Sequence, residues 1–291
     1  MKKVNASIPV YDLHAIDPGP VHNEISVGPI ANYYNICDKL VIPHRNDFYQ
    51  IVLVTHGGGT KTIDLEQFDI QPGQIFFMVP GQVHNWKFKG KSDGYVVNFY
   101  EKIFRTHVSS HFYLEQFPFL RGIPRNSIIN LQNETVKEIL HFIKRIIHEV
   151  KKKDTFSTDI ICFNLISIFV SIVRNSTITD VSKQIPEQNQ MTLFKFRMLV
   201  NQHYIEKRLP KDYAALLYVT PSQLNAICKD LFGKSAGQII RERILLEAKR
   251  LLINTDVSIS EVADKLNFTD NSYFTKFFKK HTGITPQEFR K

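Results

Sequence analysis

The stretch NFTDNSYFTKFFKKHTG, Asn267 to Gly283, carries two helical patterns at once. Phe274, Phe277, Phe278 and His281 recur at i, i+3, i+4 and i+7, the spacing that stacks side chains on one face of a helix. Three of the four are Phe, so that face is built for burial. Opposite them, at the same spacing, stand Ser272, Thr275, Lys276 and Lys279. A charged helix face is most often simply solvated, and the stretch alone does not say more. Fifty residues upstream the arrangement recurs. Leu224, Ile227, Cys228 and Leu231 repeat the apolar spacing, and Ser222, Asn225, Ala226 and Lys229 repeat the polar one. Gly233 and Gly283 close the two helices as left-handed caps. Thr220 followed by Pro221 opens the first, and Asp270 opens the second.

Each of these helices follows a short one with a small residue, Ala214 or Ala263, suited to close packing. The offset there is 49, so the second turn is one residue longer. Short helix, tight turn and capped second helix, twice over, make a pair of helix-turn-helix units. Between them SAGQIIRERILLEAKRLLIN predicts a connecting helix of roughly 19 residues, about 28 Å long. Major-groove faces on one side of B-DNA recur every ~34 Å, a spacing such a connector can set. Helices are expected near 191–207, 210–217, 221–232, 235–253, 258–266, 270–281 and 285–290.

Charge supports this. Residues 191–291 hold 17 Lys and Arg against 10 Asp and Glu, a net of +7 out of +9 for the chain. The remaining 190 residues hold 20 against 18. The basic third is where a polyanion is drawn. Cys37, Cys162 and Cys228 are odd in number and widely spaced, which indicates neither a disulfide frame nor a zinc finger. The N-terminus lacks the apolar core of a signal peptide. The most apolar run, 160–173, is shorter than the ~20 residues a bilayer needs. A soluble protein in a reducing cytoplasm, without a membrane partner, is expected.

From about residue 20 to 105 short β-rich runs alternate with turn signals: DFYQIVLVT then HGGGT, TIDLEQFDI then QPGQ, IFFMV then PGQ, HNWKFK then GKSDG, and last YVVNFY. This predicts an antiparallel sandwich or barrel. Over 134–152 the period changes, with Val136, Ile139, Ile143, Ile146 and Val150 on one helical stripe. A second helix, near 155–174, is apolar nearly all round. Residues 175–190 have no periodicity and suggest a linker. The fold class is α+β in two domains, 1–174 and 191–291, joined by 175–190.

The last hundred residues resemble the DNA-binding domain of the arabinose-regulator (AraC/XylS) transcription factors. ISEVADKLNFTDNSYFTKFFKKHTGITPQEFR, 259–290, follows that signature through its A-x-x-L, S-Y-F, F-K-x-x-x-G and T-P-x-x-[FY]-R elements. Where the family usually has Gly, this chain has Asn267, the next residue most able to take positive φ. The resemblance implies contacts to double-stranded operator DNA from Ser222, Gln223, Asn225, Ala226 and Lys229 in the first unit. In the second it implies Asn271, Ser272, Thr275, Lys276 and Lys279. Ala226 offers only a methyl contact, for instance to thymine, so the second unit is expected to read more bases itself. RNA polymerase is a further partner of such regulators.

The β-rich region resembles the cupin-like sensor domain of the same family through PHRNDFYQI (43–51) and GQIFFMVPGQVHNW (73–86). Metal-binding cupins use an H-x-H-x(3)-E-like set and a later His. Here the matching positions are His44, Asn46, Gln50 and His84. Two neutral amides replace ligands and no carboxylate remains, so neither metal nor other cofactor is expected. By strand alternation His44, Asn46, Phe48, Gln50 and Val52 share one face, and His84, Trp86 and Phe88 another. Apolar walls with amide and imidazole handles suit a small-molecule effector bound by His44, Asn46, Phe48, Gln50, His84 and Trp86. The same polar residues could instead be satisfied inside a structural barrel.

Three functions are compatible with these residues: an effector-controlled regulator, a metal-dependent cupin enzyme fused to a DNA-binding domain, and a regulator whose first domain only dimerises. The first is favoured. No P-loop, nucleophile elbow or paired-carboxylate motif marks catalytic residues, and no enzymatic activity is expected. The stripe at 136–150 and the apolar helix after it present more surface than one barrel flank covers. A homodimer through about 134–174 is therefore expected, as the resemblance also implies.

Overall fold

The computed structural model describes residues 7–16, 24–32, 40–105, 107–108, 113–175 and 187–291. Most of the predicted linker (176–186) and Cys37 lie outside them. The chain divides into two compact units, Ile8–Thr179 and Asp180–Lys291.

The first unit is built on a six-stranded antiparallel sheet. Its strands are β2 (Ile25–Pro29), β4 (Tyr49–Ile63), β5 (Glu66–Ile70), β6 (Gln74–Met78), β7 (His84–Phe99) and β8 (Ile128–Asn130). They run in the order β2-β7-β4-β6-β8, with β5 paired to β4. Two short strands, β1 (Val10–Tyr11) and β3 (Arg45–Asn46), pair in parallel beside α1 (Leu13–Ile16). A lone bridge ties His44 to His84.

The sequence divides the central hairpin differently. HGGGT and GKSDG are not turns: β4 and β7 run through both glycine clusters and pair over most of their length. Register shifts between Val54 and His56, and between His56 and Gly58, bend the ladder there. Glycine is required by crowding. A Cβ at Gly94 (φ 146°) would lie 1.9 Å from the Leu53 carbonyl oxygen. TIDLEQFDI, in turn, is split by a hairpin at Asp64, which has φ 54°.

Alternation along β4 sorts side chains into two cores. Val52 and Val54 join Phe48, Ile63, Phe76, Met78, Trp86 and Val96 on the inner face. Ile51 and Leu53 join Ile75, Phe77, Val97 and Phe99 on the outer face. Against that outer face pack α2 (Asn133–Lys152) and α3 (Ser157–Asn175). The stripe predicted at 136–150 is thereby covered within the subunit. Ile139, Ile143 and Ile146 are fully buried, and Val136 is half-buried. Both sheet faces carry apolar residues, and the outer one supplies the cover for these side chains. Helix α3 is long and apolar enough to cross a membrane by length and composition. Its Ile161, Leu165, Ile168, Phe169 and Ile172 are fully buried in the same core.

The second unit is all helical: α4 (Glu187–His203), α5 (Pro210–Leu216), α6 (Pro221–Phe232), α7 (Ala236–Asn254), α8 (Ile259–Lys265), α9 (Asn271–Thr282) and α10 (Pro286–Arg290). Local chemistry sets the ends. The Thr220 hydroxyl accepts from the Gln223 amide at 3.1 Å, while the Gln223 side chain accepts from the Thr220 amide at 2.9 Å. The Asp270 carboxylate accepts from the Tyr273 amide at 2.7 Å. Gly233 and Gly283 take φ of 65° and 85°, the left-handed caps predicted for them. One core joins both helix-turn-helix pairs, from Leu193 and Phe196 through Ile240 and Ile244 to Phe274 and Phe278.

Candidate functional site

The residues singled out in the sequence fall into two separate sets. The first lies in the β unit. His44, Asn46, Phe48, Gln50, His84 and Trp86 are all buried, and the fold brings the two imidazoles to 4.4 Å between ring centroids. The Nδ1 of His44 lies 2.8 Å from the Ile42 carbonyl and that of His84 3.2 Å from the Gln82 carbonyl. A carbonyl only accepts, so both rings carry their proton on Nδ1 and present Nε2 as an acceptor. Asn46 donates to Nε2 of His84 at 3.5 Å. Gln50 donates to Asn98 at 3.0 Å.

The sequence reasoning missed Lys61. It lies in β4 opposite Trp86 of β7, fully buried, with its ammonium nitrogen 3.7 Å from the centre of the Trp86 ring. Burial holds Lys61 well below the usual lysine range. Burial also lowers His44 to about 4, with a further push from Lys61. His84 is lowered well below the ordinary histidine value by burial, then by Lys61 and His44. Around this cluster the Nε2 of His44, Oδ1 of Asn46, Oε1 of Gln50 and Nζ of Lys61 are buried without a hydrogen-bond partner. Alternation would have placed Lys61 with Ile63 on the inner face. Reading HGGGT as a turn broke that count.

Among the described residues no group of three or more His, Cys, Asp or Glu could hold a metal ion. The two imidazoles neighbour an amine rather than a carboxylate, so no negative charge is present beside them to hold a cation. A small cavity of about 10 Å³ borders the cluster, lined by Ile30, Leu40, Gln50, Val52, Trp86, Phe88 and Val96. That is room for about one water.

The second surface is on the helical unit. Ser222, Gln223, Ala226 and Lys229 of α6 are exposed, as are Asn271, Ser272, Lys276 and Lys279 of α9; Asn225 and Thr275 are half-buried. The opposite faces are inside: Leu224, Cys228, Phe274 and Phe278 are fully buried. His281, assigned by spacing to the core face, is exposed and only edges onto Phe277 at 5.0 Å. Two of the ten polar positions already have local work. The Gln223 oxygen belongs to the capping box, and the Asn225 oxygen accepts from the Ala236 amide at 3.0 Å, which caps α7.

The turns match one another closely. Tyr218 and Asn267 both take φ of 55°, 49 residues apart. Ala214 accepts from the Val219 amide as Ala263 accepts from the Phe268 amide. The additional residue of the second turn is Thr269, between Phe268 and the capping Asp270. Arg208 ties the pairs together: it donates to the carbonyls of Leu266 and Asn267 and lies 4.1 Å from the Phe268 ring centre. In α7 the buried Glu247 accepts from Arg243 at 3.1 Å and Arg250 at 3.3 Å.

A paired helix-turn-helix unit in a chain that also carries a cupin-like sheet defines a DNA-binding transcription regulator with a ligand-binding type of domain. Comparison with known proteins gives the family. Residues 36–166 match the AraC-like ligand binding domain, and residues 213–291 match a helix-turn-helix domain. The chain belongs to the arabinose-regulator (AraC/XylS) family. It is 24% identical over 256 residues to the HTH-type transcriptional activator RhaR of Mannheimia succiniciproducens, covering 85% of this chain and 86% of that one. To RhaR of Yersinia pestis it is 20% identical over 263 residues, covering 90% and 89%. Among solved structures, unsaturated fatty acid bound ToxT from Vibrio cholerae is similar at 14% identity, with a TM-score of 0.40 and coverage of 92% and 95%.

Proposed function

We propose that a small-molecule effector, bound among His44, Asn46, Phe48, Gln50, His84 and Trp86, controls how this regulator occupies its operator. The carrying observation is the set of buried polar atoms without partners, since an unpaired buried polar group costs about 1–3 kcal/mol. A barrel serving only as a scaffold gains nothing from that cost, whereas a ligand can supply the missing partners.

On the DNA side, α6 and α9 lie in neighbouring major-groove segments. Lys229, Lys276 and Lys279, with Ser222, Ala226, Asn271, Ser272 and Thr275, face bases and phosphates. Gln223 and Asn225 hold the helix ends and donate to DNA only through their side-chain amides. The protein works in the cytoplasm as a non-enzymatic regulator, alongside RNA polymerase. It acts as a homodimer through what α3 leaves uncovered, Phe163 (55% exposed) with the half-buried Ile166 and Val170, at helical spacing on one side.

A duplex selected from a random library tests the whole. Fluorescence anisotropy of that duplex should show binding that weakens with salt and shifts when a compound that stabilises the β unit is added. An affinity indifferent to every stabilising compound overturns effector control. Mass determination of Phe163→Glu tests the interface: a wild type that stays monomeric on DNA, or a variant that still dimerises, overturns it.

A further inference from the structure

Four orphaned atoms describe the ligand they lack. Lys61 Nζ is a donor without an acceptor. The other three are acceptors without donors: Oδ1 of Asn46, Oε1 of Gln50, and Nε2 of His44, whose proton is spent on the Ile42 carbonyl. A complementary molecule brings one acceptor group, best an anion, and several hydroxyl donors. We infer that the effector is a small hydroxylated carboxylic acid, its carboxylate on Lys61 and its hydroxyls on Asn46, Gln50 and His44.

This assignment rests on the effector function proposed above and adds the charge. Several observations favour an anion over the alternatives. Lys61 is fully buried in β4, and no acidic side chain accepts from its amine. The Trp86 face at 3.7 Å offers its quadrupole, which attracts a cation but supplies no acceptor lone pair. A metal would find no carboxylate and no set of three ligands among the described residues. A neutral sugar would satisfy the three acceptors and could offer the amine a hydroxyl oxygen. Only an anion returns a proton to the buried amine, and the charge-assisted bond it then makes is about twice as strong as a neutral one. The neighbouring cavity of about 10 Å³ holds a water and is lined by Gln50 and Trp86 but not by Lys61, His44 or Asn46, so a bound acid must open further space beside Trp86 to reach them.

Lysine in this place also makes a claim without any ligand. A buried amine with no acceptor destabilises the empty protein, so Lys61→Met should melt at a higher temperature than wild type. The experiment is thermal melting of the full chain, wild type, Lys61→Met and Lys61→Gln. Each is melted alone and with glycolate, L-lactate, D-gluconate or D-galacturonate at about 10 mM, beside the uncharged counterparts ethane-1,2-diol, propane-1,2-diol, D-glucitol and D-galactose. The expected result is that at least one acid raises the wild-type Tm by about 4 °C at ten times its Kd. Its uncharged counterpart should not, and neither Lys61 variant should respond.

Stabilisation by an uncharged counterpart alone overturns the carboxylate assignment and leaves effector control standing. A response that survives in both variants removes Lys61 from the site. A Lys61→Met protein that melts lower, or two variants that do not fold, makes the lysine structural and overturns the inference. An added mass after borohydride reduction in D-galactose that wild type gains and Lys61→Met lacks would mean an imine on this amine, and a carbonyl ligand instead of an acid. If no acid shifts the melt, the inference fails, and the anisotropy experiment still decides effector control independently.

Discussion

Acidification should loosen the β unit before it reaches the histidines' own folded-state pKa. His44 titrates near 4 in the folded protein and near 6.5 when unfolded. Between those values the unfolded chain takes up a proton that the folded chain refuses. Stability is therefore lost as pH falls through 6.5, at about 1.4 kcal/mol per pH unit for each such group. At about pH 5.5 His44 alone should cost about 1 kcal/mol relative to about pH 7.5. His84 is lowered by the same burial and adds a loss of the same sign. Lys61 also acts in that direction, because its folded pKa lies below the unfolded value and stability falls with pH throughout the interval between them. The His44 share alone corresponds to a Tm lower by roughly 2–4 °C for a unit of this size, and the other two groups deepen the drop. The chain has one tryptophan, Trp86, and it sits in the cluster, so its fluorescence reports this unit selectively. Melting followed at that wavelength should show the drop in wild type and a shallower one in His44→Gln. An unchanged or rising Tm on acidification, or an identical slope in His44→Gln, would refute the assignment of neutral buried imidazoles.

Four further outcomes are expected. Phe278→Ala removes a fully buried ring that packs on Phe274 and Phe289, and should cost about 3–5 kcal/mol in a denaturant titration; a variant that melts like wild type yet fails to bind DNA would reverse the two helix faces. Tyr218→Asn should stabilise the helical unit by about 1 kcal/mol, because Tyr218 is 96% exposed and spends its φ of 55° without packing in return; a lower Tm would count against strain in that turn. Gly94→Ala should cost about 3 kcal/mol or more in the β unit, read by Trp86 fluorescence in urea, since the new methyl meets the Leu53 carbonyl. Lys276→Ala should weaken operator binding by about 1–3 kcal/mol if it touches a base edge; equal loss on operator and random duplex would place it on phosphate alone.

What the sequence revealed depended on how local the signal was. Thr220, Asp270, Gly233 and Gly283 announce helix ends through interactions spanning three or four residues, and all four do so in the structure. The repeat from Ala214 to Gly233 and from Ala263 to Gly283 is legible for the same reason. His281 is the exception, because the helix ends just past it and the core stops at Phe278. In the β unit, glycine marks both turns and bent strands, so the pattern was cut at Gly57–Gly59 and at Gly90–Gly94. Lys61 disappeared from view with that cut. The burial of the stripe from Ile139 to Val150 is legible, but not its cover, which comes from Leu53, Phe77 and Val97, all more than forty residues upstream. Strand pairings at that range leave no local periodicity to follow.

Thr269 gives the helical unit a direction. With one residue added to the second turn, the two pairs are unequal copies, and their outward faces differ too: Ser222, Ala226 and Lys229 on one, Ser272, Lys276 and Lys279 on the other. Arg208 and the shared core hold those unequal faces in a fixed sequence along a single body. A DNA site matched to both is consequently a vector, with a Lys-poor and a Lys-rich end. Reversing that site in a promoter reverses the order in which the two helix-turn-helix pairs are met on the way to the transcription start.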